Sequence, residues 1–391
     1  MIKLVKSTFH QEAKTKAALI NFIKQARQLS FSQECRKFEE NFSHYQGRKH
    51  SIFLNSGSSA NLALIQALLN LGKIKKGETV GFSALTWSTN VMPLIELGLK
   101  VLPIDAELDT LNVSSRKLLA CLEKQPIKML FLTNLLGFCD DIDKIVKICR
   151  EKKIILIEDN CESLGTVYQG KKLGNFGLAS TFSFFVGHHL STIEGGMVCT
   201  DDKELAVMLK IVRTHGWDRN LEKDEQAKLK SKFKIESSFY DRYTFYDLGF
   251  NFRPTEIQGF LGNSQLQYVR EITTKRNRNF LKMAAAVYKK TDKYYPVRFD
   301  HIDFVSNFAV PVICRSKEIR DALIEKCEGR VEIRPIVGGD MTQQPFFRKY
   351  AKKSGQLPPK SNAAIIHGQG LYFGNNPELT PAEIKEIISI F

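Results

Sequence analysis

Between residues 50 and 215, short apolar runs alternate with segments whose apolar positions recur at helical spacing. The runs 51–54, 79–82, 101–104, 128–133, 154–158, 180–184 and 196–200 are dominated by aliphatic and aromatic side chains and predict strands. Between them, 60–71, 140–152 and 203–213 carry apolar residues three and four apart and predict amphipathic helices. Near-continuous apolar runs are what strands buried on both faces require. The alternation therefore predicts an α/β fold with a mostly parallel seven-stranded sheet covered by helices. Ligands of such sheets bind beyond the carboxyl ends of the strands.

The pattern changes near residue 254. Residues 257–286 read as one long helical stretch, followed by apolar 307–312, helical 317–327 and apolar 331–336. This predicts a smaller C-terminal α/β domain, with the chain divided into a large domain, 1–253, and a small one, 254–391. Residues 223–246 are charged and aromatic without a clear period and read as a long excursion, mobile or part of an interface.

A chain of 391 residues with 43% hydrophobic and 25% charged residues supports a core of normal size. No apolar stretch approaches the ~18 residues of a membrane span, and the start, from Met1 to Lys6, lacks a signal-peptide pattern. Eight scattered cysteines include no C-x-C or C-x-x-C pair, which argues against a zinc ribbon or a disulfide framework and for reduced thiols in a cytoplasmic protein. The net charge of +15 is spread through segments such as 228–234 and 275–278. Without a helix-turn-helix, zinc or stacking-aromatic motif it reads as a lysine-rich surface that in part attracts a diphosphate, not as a nucleic-acid site.

Three segments carry candidate chemistry. Asn55-Ser56-Gly57-Ser58-Ser59-Ala60 follows a strand and opens an apolar helix, so it offers free backbone N–H groups to a phosphate, although any serine-capped helix looks the same. The apolar strand at 154–158 runs into Asp159, Asn160, Cys161 and Glu162; a carboxylate there either pairs with a protonated ring nitrogen or caps a helix. The stretch from Ser180 to Phe185 leads to Val186, Gly187, His188 and His189. Adjacent histidines rarely face one metal ion, no second ligand cluster has suitable spacing, and no metal site is expected.

In this order and spacing the segments resemble the nucleotide-sugar aminotransferase family typified by the DegT and StrS proteins. The resemblance runs from about residue 30 to the end of the chain. It implies the type I pyridoxal-phosphate-dependent aminotransferase fold. The family's Ser-Phe-x-x-x-Lys stretch holds the cofactor through its lysine; here His188 stands five residues after Ser183 in that place. Trp87-Ser88-Thr89, Asn134 to Gly137, Glu158 to Ser163, Gly187-His188-His189, His215 to Asn220 and Arg334 to Val337 are further similar to the family's branch of 3-dehydratases, which carries the same replacement.

That resemblance implies a lyase that removes the C3 hydroxyl of a nucleotide-linked 4-keto-6-deoxyhexose, GDP-4-keto-6-deoxy-D-mannose being favoured. The product is a 3,6-dideoxy sugar of the kind found in bacterial lipopolysaccharide. The sugar forms a Schiff base with pyridoxamine 5'-phosphate, and L-glutamate re-aminates the cofactor. His188 is the implied acid–base residue, chosen over His189 by spacing alone, with His189 supporting it. Asp159 pairs with the ring nitrogen, and Glu162, where aminotransferases of the family often carry glutamine, contacts the ring hydroxyl. Trp87 stacks on the ring, while Gly57, Ser58 and Ser183 hold the phosphate. Asn251 reaches the phosphate of the other subunit, which implies a homodimer with shared active sites. His215, Arg219 and Arg334 are candidates for the sugar or diphosphate. Three alternatives stay open: a sugar aminotransferase using another lysine, such as Lys171 or Lys172; an iron–sulfur-coupled 3-dehydrase; and a cofactor-binding sensor without turnover.

Overall fold

The computed structural model describes residues 1–351 and 354–391. Its main sheet has seven strands. From edge to edge these are His50–Leu54, Gly196–Thr200, Ala179–Ser183, Ile155–Asp159, Met129–Thr133, Thr79–Ser83 and Lys100–Ile104. Gly196–Thr200 runs antiparallel to both neighbours, and all other pairs are parallel. Residues of the central strands are buried throughout, as Met129–Thr133 and Ala179–Ser183 show. This explains why their sequences do not alternate: both faces are covered by helices.

A second sheet of four antiparallel strands forms from the later part of the chain, in the order Tyr294–Tyr295, Ala309–Cys314, Gly370–Gly374 and Ile333–Pro335. The amino terminus reaches back to it, with Ile2 bridging Val331 and the Leu4 amide donating to Glu332. The expected single helix over 257–286 is two, Glu256–Leu266 and Val269–Val287. Tyr268, between them, packs edge-on against His10 at 5.2 Å. The stretch is divided although its local periodicity is continuous. The excursion also holds a helix, Lys223–Phe233, closed by a capping box between Glu222 and Glu225. None of its residues is buried, so no apolar stripe announced it. Among the described residues no helix is long and apolar enough to cross a membrane.

The parallel strands all deliver their carboxyl ends to one edge of the sheet. Helix Gly57–Asn70 begins beside that edge, and the loop carrying His188 leaves it after Ser183.

Candidate active site

Period-two alternation separates the two acids at the end of Ile155–Asp159. Glu158, fully buried, accepts from the amides of Gly174, Phe176 and Gly177 and from Asn134, so it fastens a turn. Asp159 turns to the other face. Its Oδ2 accepts from Asn61 at 3.0 Å and Asn90 at 2.7 Å, and its Oδ1 from the Cys161 amide at 2.8 Å. Three donors fix the plane of this carboxylate.

Glu162 is buried and accepts one hydrogen bond, from the Leu136 amide at 2.9 Å. Burial, reinforced by the nearby Asp159 charge and only partly offset by that bond, pushes its carboxyl up to about 8. Glu162 therefore holds its proton at neutral pH. Leu136 itself adopts φ 52°, a left-handed conformation that costs a bulky residue about 1 kcal/mol or more.

The phosphate-like cradle lies at the start of helix Gly57–Asn70. Ser56 caps the helix by accepting from the Ser59 amide at 3.0 Å, while the first-turn amides of Gly57 and Ser58 take no part in helix bonding. A side chain at Gly57 would come within 2.7 Å of the Ser183 Cβ and 3.0 Å of its Oγ, so glycine lets the helix end meet the serine hydroxyl. Ser58 is exposed at the same turn. Trp87 stands just before the 3-10 turn Ser88–Asn90 that supplies Asn90 to Asp159, and 53% of this large ring is exposed. Such a ring beside a polar cleft is an exception that asks for a partner.

His188 is half-buried. Its Nδ1 is buried without a protein partner, leaving Nε2 as the accessible nitrogen. Burial lowers its pKa to about 4 against the opposing influences of Asp159 and the Ser183 backbone, and the Arg276 cation lowers it further. The imidazole is thus neutral across the ordinary pH range. Phe308 tilts against it at 5.3 Å. His189 is buried behind it, with both ring nitrogens unpaired, and burial drives its pKa far down.

Of the remaining sequence candidates, Arg334 lies on the small-sheet strand Ile333–Pro335. It pairs across the small sheet with Tyr372, whose hydroxyl burial and Glu162 push up to about 12. The Arg334 guanidinium is exposed and donates to Glu332 at 2.9 Å. His215, Arg219 and Asn251 follow helix Lys203–Arg213, where Thr214 bridges Asn251 and the neighbouring Phe252 carbonyl accepts from the Asn55 amide. The His215 amide donates to Phe250, Arg219 lies over the Trp217 ring at 5.1 Å, and exposed Asn251 accepts from Arg253 at 3.0 Å. Lys172, a rival candidate, donates to the Tyr45 carbonyl and lies over that ring at 4.4 Å; Lys171 lies over Phe176 at 5.0 Å. Neither is in the cleft.

Asn61, Asn90, Arg276 and Tyr372 were not among the sequence candidates. Asn61 left a trace, since it interrupts the apolar face of a helix that otherwise reads as core. The others left none.

The donor set suits one kind of occupant. A helix end with a hydroxyl accepts phosphate, a buried carboxylate accepts from a ring nitrogen, a protonated acid meets a ring oxygen, and an exposed indole covers a flat ring. The fold and cleft define an α/β enzyme built to hold a phosphorylated aromatic cofactor. The model of the DegT/DnrJ/EryC1/StrS aminotransferase family matches residues 10–391, and the chain belongs to this family.

The chain is 34% identical over 375 residues to the GDP-4-keto-6-deoxy-D-mannose 3-dehydratase of Yersinia pseudotuberculosis, which covers 93% of this chain and 91% of that protein. The crystal structure of a GDP-4-keto-6-deoxymannose-3-dehydratase with a trapped PLP-glutamate geminal diamine matches at TM-score 0.88 and 29% identity, covering 100% of each chain. A mutant GDP-4-keto-6-deoxymannose-3-dehydratase with bound GDP-perosamine matches at TM-score 0.87 and 28% identity, again over 100% of both chains.

Proposed function

We propose that this protein is a 3-dehydratase of a nucleotide-linked 4-keto-6-deoxyhexose, with GDP-4-keto-6-deoxy-D-mannose as its substrate, pyridoxal/pyridoxamine 5'-phosphate as its cofactor and L-glutamate as amino donor. The product is a 3,6-dideoxy-4-keto sugar for bacterial surface polysaccharide, made in the cytoplasm. The observation that carries the reading is a neutral, accessible histidine beside Asp159, where the family's aminotransferases place a lysine. The match to 3-dehydratases over nearly the whole chain supports the reaction and the sugar.

The cofactor, when bound, supplies an amine that condenses with the C4 ketone and a conjugated ring that accepts electrons as the C3 hydroxyl leaves. The Gly57 and Ser58 amides, the Ser58 hydroxyl and Ser183 anchor its phosphate. Asp159, fixed by Asn61 and Asn90, pairs with the ring nitrogen and keeps it charged. Glu162 offers its proton to the ring oxygen, and Trp87 covers the ring face. His188 cannot capture the cofactor covalently, so its Nε2 stays free to take a proton and return it to the departing hydroxyl. Arg334 receives part of the nucleotide sugar. Asn251 reaches the cofactor phosphate of a second copy, which makes the functional unit a homodimer, and His215 and Arg219 contact the sugar or diphosphate.

The test is a panel of GDP-, CDP-, UDP- and dTDP-linked 4-keto-6-deoxy sugars with glutamate and pyridoxamine phosphate. Ammonia and a 3-deoxy product from the GDP sugar are expected. An amino sugar formed without ammonia would move the protein to the aminotransferases. No turnover with any sugar would leave a sensor.

A further inference from the structure

Among the described residues two arginines are buried, and they are treated differently. Arg213, 1% exposed, meets the Glu39 carboxylate at 2.6 Å and the Phe53 carbonyl at 2.7 Å. Arg276, on helix Val269–Val287, is 6% exposed and takes part in no salt bridge among the described residues. Burial alone lowers its pKa, to about 9, so it is still a cation at neutral pH. A buried cation without a counter-charge is expensive, and removing its remaining partners costs several kcal/mol. The acceptors it does have are both carbonyls. One arm of the fork donates to Asn375 at 2.5 Å, the other to His188 at 3.1 Å, and Nε has no partner.

Those two carbonyls belong to different parts of the molecule. His188 is in the loop leaving the large sheet, while Asn375 ends the small-sheet strand Gly370–Gly374. Asn375, fully buried, locks the arrangement in return: its Nδ2 donates to the Arg276 carbonyl at 2.8 Å and to the Asn307 side chain at 2.7 Å. The planar fork bridges both carbonyls at once, which neither lysine nor glutamine does in the same geometry.

We propose that Arg276 is a positioning residue for His188. Its guanidinium ties the His188 loop to the small domain and so holds the imidazole in place at the cleft. This rests on reading His188 as the residue that moves the proton. Burial is what chiefly keeps the imidazole neutral, and the charged groups around it are secondary. Asp159, at the strand end, favours the protonated ring, and Arg276 opposes it. His189 is held neutral. Glu162 keeps its proton, as does Tyr372 on the small sheet. His10 and Glu378 line a small cavity together with His188, His189 and Arg276.

The test uses the histidine-ring NMR signals of the cofactor-free protein, with His188→Asn assigning the His188 signal. In Arg276→Gln the His188 ring signals should shift, because the carbonyl tether that places the ring is gone, and kcat for dehydration should fall about tenfold at unchanged KM, the cost of a small misplacement. Arg276→Lys keeps the charge and loses the fork, and the same selective fall in kcat is expected. Unshifted His188 signals with unchanged kcat in Arg276→Gln overturn the proposal. If that variant does not fold, Arg276→Lys decides: unchanged kcat overturns the claim and a selective fall in kcat supports it. Full dehydration by His188→Asn would sink the base reading instead, and the ring signals would still report on Arg276.

Discussion

The cleft around Asp159 and the excursion over 223–246 are opposite kinds of surface. In the cleft the polar groups are buried and aimed before any ligand arrives: Asp159 has three donors, Glu162 one, and His188 is pinned through its carbonyl. In the excursion the large side chains are exposed. Phe239 is 69% accessible, Tyr240 75%, Tyr243 71% and Phe245 58%, and Tyr243 stacks on Trp217 at 5.3 Å. The buried groups of the cleft come from one chain; the excursion presents large side chains that are mostly open to solvent. Exposed aromatic patches of this sort mark interaction sites. We take the excursion as the part of the homodimer that serves the second copy's cleft.

The largest effect should come from the cleft. His188→Asn is expected to lower dehydration by about 10²–10⁴-fold, the usual contribution of a positioned acid–base residue, while thermal melting stays close to that of the parent. Retained turnover would break the contrast, because the pinned histidine would then be idle. The excursion is tested by Tyr240→Glu with Tyr243→Glu. Sedimentation should show a shift from dimer to monomer and turnover should fall on the order of 10²-fold, as expected when shared contacts are misplaced. A fully active monomer would show that one chain suffices.

Arg334→Ala sharpens the border between the regions. It should raise KM for the nucleotide sugar about tenfold and leave kcat nearly unchanged, as for a group that binds ground and transition states alike. The smallest effect at neutral pH belongs to Glu162→Gln. Glu162 is protonated below about 8 and loses its proton above it, so the parent should lose activity as pH rises through that value. Glutamine does not titrate. The variant should stay within about threefold of the parent at pH 7 and lack that alkaline limb.

What was legible in the sequence follows from how far apart the cooperating residues are. The parallel sheet could be read because each strand is buried on both faces and reads as an apolar run. Gly57, Asp159, Ser183 and His188 could be read because each lies at or just beyond a strand end, where the turn and the chemistry are adjacent in the chain. Asn90, Arg276 and Tyr372 could not: they reach Asp159, His188 and Glu162 from 69, 88 and 210 residues away by sequence number. Only the fold gives them meaning. The helix Lys223–Phe233 escaped for a different reason, since it buries none of its residues and therefore has no apolar face to betray it. The break at Tyr268 was invisible because the local periodicity runs on through it; the ring there meets His10, from the far end of the chain.

The most direct measurement follows nitrogen. Purified protein is given GDP-4-keto-6-deoxy-D-mannose, catalytic pyridoxamine phosphate and glutamate labelled with ¹⁵N, and the label is traced in ammonia and in the sugar. Labelled ammonia matching a nitrogen-free 3-deoxy sugar, abolished in His188→Asn, is the predicted result. Label retained in a 4-amino sugar whose C3 hydroxyl is intact would contradict it.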